Sequence, residues 1–445
     1  MAITLCLPHS PAASLLRSLI RAGLQAADPH RSLRRNVSRR GQLLRIGQYI
    51  YDLSCYDRLV VVGAGKASAR MAQSLESIVG PRIAGGLIVV KTGHSVPLEH
   101  LTVVEAAHPI PNREGLRFAK RTIALVNDLT SRDLLIVLLS GGASSLWPAP
   151  VPGLTLADKQ RTTDLLLRSG ASIEEINTVR KHLSQLKGGG LVRCTKATVV
   201  TLILSDVLGD DISTIGSGPT APDKTTFADA IAVLKRYRIW RATPPTVRRH
   251  LLQGLNGAVP ETIKPGASQL RRVRHVIIGN NQQMLKAVAK AARLAGLHTR
   301  LASPLTGEAR QEAGRFVTAA RQLLNKRLLR RPACLIAGGE PTVTVTGQGK
   351  GGRAQEFATA AAFHLQGMPC TWLVAMGSDG TDGPTDAAGA IVTEETVPLA
   401  RSRGVDLRSA LNQHNTYPAL RTLGCHIHTG PTGTNVNDLY LMLFL

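Results

Sequence analysis

The first candidates for chemistry are two cations, Lys350 and Arg353, which lie in a glycine-rich stretch. Glycines occupy positions 347, 349, 351 and 352, between an alternating run at 342–346 that predicts a strand and an alanine-rich pattern at 354–365 that predicts a helix. Glycine lowers stability unless the backbone bends unusually or approaches another group closely. A glycine loop at a helix N-terminus presents backbone N–H groups and a positive dipole end, so this stretch favours an anion or phosphate site. A surface hairpin in which the glycines only turn the chain is an equal alternative.

Lys66 ends a second glycine turn, Gly63-Ala64-Gly65-Lys66, which directly follows the apolar run at 59–62. A strand, a tight turn and a helix predict the start of a βαβ unit, whose turn lies at the carboxyl end of the sheet. The turn is not a P-loop, because positions 60 and 67 are valine and alanine, and it lacks the third glycine of a dinucleotide fingerprint at position 68. Lys66 therefore either meets a phosphate or is solvated.

Small polar residues follow three further predicted strands. The run at 134–139 ends in Ser140-Gly141-Gly142-Ala143-Ser144, whose N–H groups and hydroxyls could hold a phosphate or a carboxylate, with a plain turn as the alternative. The run at 198–204 delivers Asp206, and the run at 371–375 leads to Asp379 in an acidic glycine loop. Carboxylates in such loops suit Mg²⁺ bound together with nucleotide phosphates. Asp210 and Asp211 could instead cap a helix that begins at position 212.

A capping box, Ser172 to Glu175, opens a predicted helix with an apolar stripe that ends at Gly188. We expect its other face to be exposed to solvent, with an anion-facing role as a secondary possibility. That face carries Asn177, Arg180, Lys181, Ser184 and Lys187.

The overall composition favours an α/β enzyme without membrane spans. The chain has 445 residues, 43% of them hydrophobic, and no apolar run reaches the roughly 18 residues of a membrane span. A net charge of +24 raises nucleic acid as a partner, but the arginines are not interleaved with aromatic residues, so solvated basic faces are favoured over specific nucleic-acid binding. The six cysteines are isolated, which is typical of reduced thiols in a cytoplasm.

The length predicts two domains. We place the first domain at residues 1–240 and the second at 271–445. Residues 241–270 are the predicted interdomain connection, because the sequence there is rich in arginine and proline and shows no clear strand. The arginine-rich N-terminus is similar to a mitochondrial presequence. Apolar residues at helical spacing from Leu15 to Leu24, followed by Asp28-Pro29, instead predict the first helix of the fold.

Short motifs are spread in a specific order over nearly the whole chain: Gly63 to Ala67, Ser140 to Gly142, Asn177 with Arg180 to Ser184, Lys187 to Gly190, Ser205-Asp206, Gly216 to Thr220, Gly279 to Asn281, Gly338 to Glu340, Gly351 to Arg353, Asp379 to Gly383 and Thr429 to Asp438. In this order they resemble the glycerate 2-kinase family. Two positions depart from that family's usual pattern: Ala354 stands in place of an asparagine and Ala143 in place of a glycine.

The resemblance implies a Rossmann-like N-terminal domain of three layers with a parallel sheet, and a smaller α/β C-terminal domain. It implies an ATP-dependent kinase that transfers the γ-phosphoryl group to the 2-hydroxyl of D-glycerate, giving 2-phosphoglycerate and ADP. Members have also been labelled hydroxypyruvate reductases, which keeps a nicotinamide-dependent reductase as an alternative that the failed fingerprint does not support. A non-catalytic polyanion-binding protein is the third reading, and a homodimer is left open.

The resemblance also implies that Lys66 and Arg353 are the key catalytic cations, which agrees with the need of phosphoryl transfer for positioning and charge neutralisation. Asp206 and Asp379 are the candidate Mg²⁺ ligands, or one of them orients the attacking hydroxyl. The candidate nucleotide and substrate contacts are Gly63, Gly65, Ser140, Gly141, Gly142, Ser144, Asn280, Glu340, Thr432 and Asn435.

Overall fold

The computed structural model describes residues 3–5 and 11–445, which divide into two compact units. The central unit is Ser32–Ile278, and the terminal unit joins the described residues up to Arg31 with Gly279–Leu445. Among the described helices, none is long and apolar enough to cross a membrane. Of the six cysteines, Cys6 lies outside the described residues, and the other five are free thiols.

The strands of the described chain, in order, are β1 Thr4–Leu5, β2 Val37–Arg40, β3 Leu43–Ile46, β4 Tyr49–Asp52, β5 Leu59–Ala64, β6 Ile83–Lys91, β7 Thr102–Ala106, β8 Leu134–Leu139, β9 Thr198–Leu204, β10 Val273–Gly279, β11 His298–Leu301, β12 Ala333–Gly339, β13 Thr371–Gly377, β14 Gly389–Thr393, β15 His426–His428 and β16 Asp438–Phe444. The α-helices are α1 Pro11–Ala27, α2 Pro29–Asn36, α3 Ser68–Val79, α4 Arg113–Asn127, α5 Ala143–Leu146, α6 Leu156–Arg168, α7 Ile173–His182, α8 Gly190–Arg193, α9 Phe227–Arg236, α10 Pro245–Leu255, α11 Asn281–Leu294, α12 Ala309–Asn325, α13 Arg353–Leu365, α14 Thr396–Ser402, α15 Leu407–Asn412 and α16 Thr416–Leu423.

The main sheet of the central unit has six strands in the order β10-β9-β8-β5-β6-β7. The pairs from β9 through β7 run parallel. Strands β5 and β8 are buried at every position, as expected for strands that are covered on both faces. This is the strand order of a Rossmann sheet, so the predicted α/β class and the Rossmann-like domain are confirmed.

The terminal unit contains a mixed sheet of seven strands in the order β1-β15-β14-β13-β16-β12-β11. Strand β16 lies between β12 and β13 and is antiparallel to both. Consequently Asp438, the first residue of β16, lies opposite Gly339 on one side and Gly377 on the other. The start of β16 and the ends of its two neighbours therefore meet at one edge of the sheet.

The unit boundaries differ from the predicted domains. The first helix is present as predicted, but α1 packs on α11 in the terminal unit, where a Cβ on Gly23 would lie 2.7 Å from a methyl group of Val288. Residues 241–270 belong to the central unit and are not an interdomain connection. Helix α10 in this stretch buries Val247 and Leu251 against Phe227 of α9, because its apolar residues recur at helical spacing despite the surrounding arginines.

Most predicted strands are confirmed, including those at 134–139 and 198–204, but the strand at 342–346 is wrong. This stretch has one isolated bridge, between Thr342 and Glu308, and is otherwise irregular. Its alternation of polar and apolar residues does not produce a strand because no neighbouring strand supplies a ladder. A three-stranded antiparallel sheet, β2-β3-β4, was not predicted.

Candidate active site

In the central unit, the turn after β5 and the loop after β8 are bonded to each other at the carboxyl ends of two adjacent strands. The N–H of Lys66 donates to the carbonyl of Gly141 at 2.8 Å, and the N–H of Ala67 donates to Oγ of Ser140 at 3.0 Å. In a sheet with this strand order, ligands bind in the crevice outside these two strands. The structure therefore brings Lys66 together with the predicted Ser140 and Gly141 at the position where an open α/β sheet binds its ligand.

Two glycines in these loops are required by close contacts. A Cβ on Gly65 would lie 2.2 Å from Oγ of Ser140, and the backbone there has a φ of +136°. Gly142 has a φ of +89°, and a Cβ there would lie 3.0 Å from the ring of His108 and 3.6 Å from Cγ of Lys66. The side chains of Lys66 and His108 therefore flank the same glycine.

His108 is a site residue that the sequence analysis missed, because nothing near it in the sequence marks it. Burial, with smaller contributions from the nearby cations Lys66 and Lys91, lowers the pKa of its imidazole to about 4. The ring is therefore neutral at pH 7. A neutral imidazole beside Lys66 can exchange hydrogen bonds with a substrate without adding charge.

The predicted Ser144 takes part in a partly buried hydrogen-bond network with α7 and the segment that follows it. The ammonium group of Lys187 donates to the carbonyl and the Oγ of Ser144, at 2.7 Å each. The hydroxyl of Ser144 lies 2.9 Å from that of Ser217, which donates to Oδ1 of Asn177 at 3.0 Å. These contacts bind the loop after β8 to α7.

The face of α7 that was expected to be exposed is largely buried, with Asn177 at 5% and Lys181 at 7% exposure, although Arg180 is partly exposed. Lys187, which follows the helix, is also buried, at 3% exposure. The helix is covered on both sides, since Ile176 and Val179 pack in the cluster formed with α9 while the opposite face meets Ser217 and the loop after β8. The helix also ends at His182, earlier than the predicted Gly188. In a sequence, a capping box and an apolar stripe predict one buried face of a helix, but they do not show whether the polar face is also covered by the rest of the protein.

Asp206, predicted as a metal ligand, is partly buried just beyond the end of β9. Asp211 in the same loop accepts hydrogen bonds from the N–H and the hydroxyl of Ser213, at 2.9 Å each. Asp211 thus stabilises a turn, but the helix that it was expected to cap at position 212 is absent, since the next helical segment is a single 3₁₀ turn, Ile215–Ser217.

In the terminal unit, Arg353 is held by two carboxylates. Its Nε and Nη2 donate to Asp438 at 2.7 and 3.0 Å, and its Nη1 donates to Glu340 at 2.7 Å. Asp438 is 1% exposed, and Tyr440 also donates to it at 3.0 Å. Burial lowers the pKa of Arg353, but Asp438 and Glu340 outweigh this effect and raise it, so the guanidinium is fully charged and fixed in orientation.

The N-terminus of α13, predicted as an anion site, is already bound to a carboxylate of the chain itself. Asp382 is 4% exposed and accepts the N–H groups of Ala354 and Gln355 at 3.0 and 2.8 Å. Burial raises the pKa of Asp382, while these two N–H groups lower it. The helix dipole therefore stabilises Asp382 at this position.

The glycines before α13 also serve contacts within the chain. A Cβ on Gly349 would lie 2.3 Å from the carbonyl of Gln413, and one on Gly352 would lie 2.3 Å from the carboxyl carbon of Asp382. Lys350 lies over the ring of Tyr417, with its Nζ 4.6 Å from the ring centre, so it does not accompany Arg353. The glycines are explained by close packing on residues 413–416 and on Asp382.

The other predicted residues of the terminal unit lie in loops that are bonded together near Asp438. Thr432 donates its hydroxyl to the carbonyl of Ser378 at 2.6 Å and its N–H to the carbonyl of Asp379 at 3.2 Å. The carboxylate of Asp379 accepts the N–H and the hydroxyl of Thr381 at 3.0 and 3.1 Å. Asn435 is partly buried in the same loop as Thr432.

Asn280 caps α11 by accepting the N–H of Gln283 at 2.9 Å. Its neighbour Asn281, which the sequence analysis did not single out, donates to the carbonyls of Val436 and Asp438 at 2.8 and 3.0 Å. The start of α11 thus positions the residue that holds Arg353. Lys66 belongs to the central unit, where its backbone N–H is bonded to Gly141, and Arg353 belongs to the terminal unit, where two carboxylates hold its side chain.

Among the described residues, no group of three or more His, Cys, Asp or Glu side chains is arranged to hold a metal ion. Mg²⁺ bound with a nucleotide needs fewer protein ligands, because phosphates and water complete its shell. In the terminal unit Asp382 caps a helix, Asp438 holds Arg353 and Asp379 accepts two hydrogen bonds from Thr381. Asp206 in the central unit and Asp379 in the terminal unit each carry the carboxylate oxygens that Mg²⁺ prefers as ligands.

Two family models match the chain: "Domain of unknown function (DUF4147)" over residues 15–252 and "MOFRL family" over residues 333–438. The chain is 39% identical to a glycerate 2-kinase from Pyrococcus horikoshii, with 96% of each chain covered. It is 43% identical to a D-glycerate 2-kinase from Thermotoga maritima, with 87% of this chain and 91% of the relative covered. A crystal structure of a Thermotoga maritima glycerate kinase superimposes with a TM-score of 0.84 at 40% identity, covering 98% of this chain and 99% of that one. From its strand order, its site residues and these relatives, the chain belongs to the glycerate 2-kinase family.

Proposed function

We propose that this protein is an ATP-dependent glycerate 2-kinase, which phosphorylates the 2-hydroxyl of D-glycerate to give 2-phosphoglycerate and ADP. The proposal is supported by relatives named glycerate 2-kinase that match the chain over nearly their whole length. The observation that carries it within the structure is the position of Lys66, at the carboxyl end of β5 and bonded to the loop after β8.

In the reaction, the 2-hydroxyl oxygen of glycerate attacks the γ-phosphorus of ATP, the bond between that phosphorus and the β,γ-bridging oxygen breaks, and the hydroxyl gives up its proton. The transition state spreads negative charge over the transferred group, so catalysis depends on positioned cations. We assign Lys66 and Arg353 to this charge. Lys66 supplies a point charge, and Arg353 supplies a planar fork whose direction Asp438 and Glu340 set.

We further propose that Asp206 and Asp379 hold Mg²⁺, or that one of them orients the attacking hydroxyl. When bound, Mg²⁺ would neutralise charge on the phosphates. The predicted glycines, Ser140, Ser144, Asn280, Glu340, Thr432 and Asn435 are then the candidate contacts for nucleotide and substrate. For Glu340 this role is combined with its ion pair to Arg353.

The decisive experiment measures ADP release with and without D-glycerate, followed by phosphorus NMR of the product. ADP release that requires glycerate, with the phosphate on O2, is the expected result. Phosphate on O3 would overturn the assigned position, and oxidation of NADH with hydroxypyruvate without ADP release would favour the reductase alternative. Replacing Lys66 or Arg353 by alanine should lower turnover by about 10²-fold or more while the protein stays folded. Near-wild-type turnover in both variants would contradict their roles.

Nothing in the described site favours the two other readings over the kinase. The polyanion reading is tested by nucleic-acid binding that survives Lys66→Ala and weakens steeply with salt. The cytoplasmic setting and a homodimer stay predictions, which fractionation and sedimentation of the full chain would check.

A further inference from the structure

The central unit contains three cations, Lys159, Arg180 and Lys187, that have no carboxylate partner among the described residues. Lys159 is 6% exposed, and its Nζ makes no hydrogen bond. Lys187 is 3% exposed and donates only to the carbonyl and hydroxyl of Ser144. Arg180 is partly exposed and makes no described side-chain hydrogen bond or ion pair.

These cations are close enough to repel one another. Burial, with a smaller contribution from Arg180, lowers the pKa of Lys159 to about 7. Burial, Arg180 and Lys159 together hold the pKa of Lys187 well below its usual range. Buried cations without a counter-ion are unfavourable unless something else compensates them.

A neighbouring lysine shows how the same region treats a structural cation. Lys181, on the same helix as Arg180, is 7% exposed and pairs with the fully buried Asp223 at 3.2 Å. The chain thus supplies a carboxylate where a buried lysine has only a structural role. Within the described part of the chain the other three cations have no such partner, which indicates that their counter-ion comes from a bound ligand.

We propose that Lys159, Arg180 and Lys187 form a phosphate-binding subsite, and this inference rests on the proposed kinase function. Through Ser144, Lys187 is connected to the loop after β8, which is bonded to the turn that carries Lys66. The partly exposed Arg180 gives the group access to solvent. The phosphate belongs either to ATP or to the phosphorylated product.

The number of donors favours a phosphate over the carboxylate of glycerate. When both lysines are protonated, as a bound anion favours, Lys159 has three unused N–H donors, Arg180 has five, and Lys187 retains one beyond its two bonds to Ser144. A carboxylate offers about four lone-pair sites and a single negative charge. A phosphate group has more oxygens and a second negative charge, so it satisfies more of these donors and more of the positive charge.

The test measures the melting temperature of the full chain against increasing inorganic phosphate, ATP, 2-phosphoglycerate or D-glycerate, each added alone. Lys159→Met removes the ammonium group without breaking a hydrogen bond, so we expect the ligand-free variant to melt no lower than wild type. We expect its affinity for inorganic phosphate to fall about tenfold or more, because hydrogen bonds to charged groups are lost. Arg180→Met should weaken phosphate binding similarly.

Arg161→Met is the matched control. It removes a cation from the same helix as Lys159, but Arg161 is 60% exposed, so phosphate affinity should stay at the wild-type value. If Lys159→Met and Arg180→Met bind ATP more weakly than wild type, the phosphate is assigned to the nucleotide. If they bind 2-phosphoglycerate more weakly, it is assigned to the product. Wild-type phosphate affinity in Lys159→Met, or a loss confined to D-glycerate, would overturn the subsite. Because these measurements need no turnover, a protein that binds phosphate in this way but does not phosphorylate glycerate would refute the proposed function and leave the subsite intact.

Discussion

Replacing Asp438 by asparagine should lower turnover strongly while leaving the fold almost as stable as before. Asp438 is 1% exposed, and its carboxylate accepts two N–H groups of Arg353 at 2.7 and 3.0 Å. Asparagine has nearly the same shape, but its NH₂ group would face one of these donors, so one charge-assisted hydrogen bond is lost. Such a bond contributes about 1.5–3 kcal/mol.

An opposing effect comes from the burial of the carboxylate. Burial raises the pKa of Asp438 to about 6, although Arg353 lowers it. This rise of the pKa from its ordinary value of 3.8 means that the folded state favours the neutral carboxyl over the carboxylate by about 3 kcal/mol relative to the unfolded chain. Because this net preference already includes the attraction of Arg353, a neutral amide in place of the carboxylate should lower the free energy of unfolding by less than about 2 kcal/mol. Turnover should fall about 10²-fold, because a guanidinium that is no longer aimed loses a transition-state contact.

Coupled ADP release gives kcat and KM for this variant, and urea unfolding followed by circular dichroism gives its stability. Asp386→Asn is the control, since Asp386 is an exposed carboxylate in the same unit that accepts the hydroxyl of Tyr417 at 2.6 Å. A kcat for Asp438→Asn within about threefold of wild type would refute the orienting role. A loss of more than about 4 kcal/mol of stability would show that Asp438 is mainly a structural partner of Arg353.

Three further changes test other parts of the site. Turnover should rise as pH rises through about 6, because Asp438 ionises and then holds Arg353. The stability that Asp438 contributes should change in the opposite direction, since it is fully present below the unfolded pKa and is lost as pH rises through about 6. Measurements of kcat and of melting temperature across this range check both dependences. Asp382→Ala should lower the free energy of unfolding by about 2–4 kcal/mol in urea titrations, because two backbone N–H groups of α13 lose their acceptor. Gly142→Ala should lower turnover in the ADP assay more than Gly153→Ala does. The two glycines have similar positive φ angles, +89° and +85°, but only at Gly142 would the new Cβ lie within 4 Å of other side chains.

Local sequence patterns were sufficient for much of the central unit. The apolar run at 134–139 and the mostly apolar run at 198–204, which contains Thr198 and Thr201, predicted the bounds of β8 and β9, because strands that are buried on both faces are composed mainly of apolar and β-branched residues. The glycine turn before Lys66 and the capping box at Ser172 were also recognised, since both depend on interactions within a few residues.

The pairing of distant residues was decided by the tertiary structure. Arg353 and Asp438 are 85 positions apart and meet only because β16 enters the sheet between β12 and β13. Helix α7 likewise contacts α9 on one face and the Ser217 segment on the other, which its own sequence did not indicate. Helix α1 lies in the terminal unit because it packs on α11.

The sequence by itself determined the elements, the glycine turns and the family motifs, because backbone propensity and side-chain periodicity act over a few residues. Only the tertiary structure decided which carboxylate orients Arg353, which helix N-terminus is occupied by a carboxylate of the chain, and which lysines are buried without one. These outcomes depend on the charges that folding brings within a few ångströms of each other, and a linear pattern does not record those neighbours.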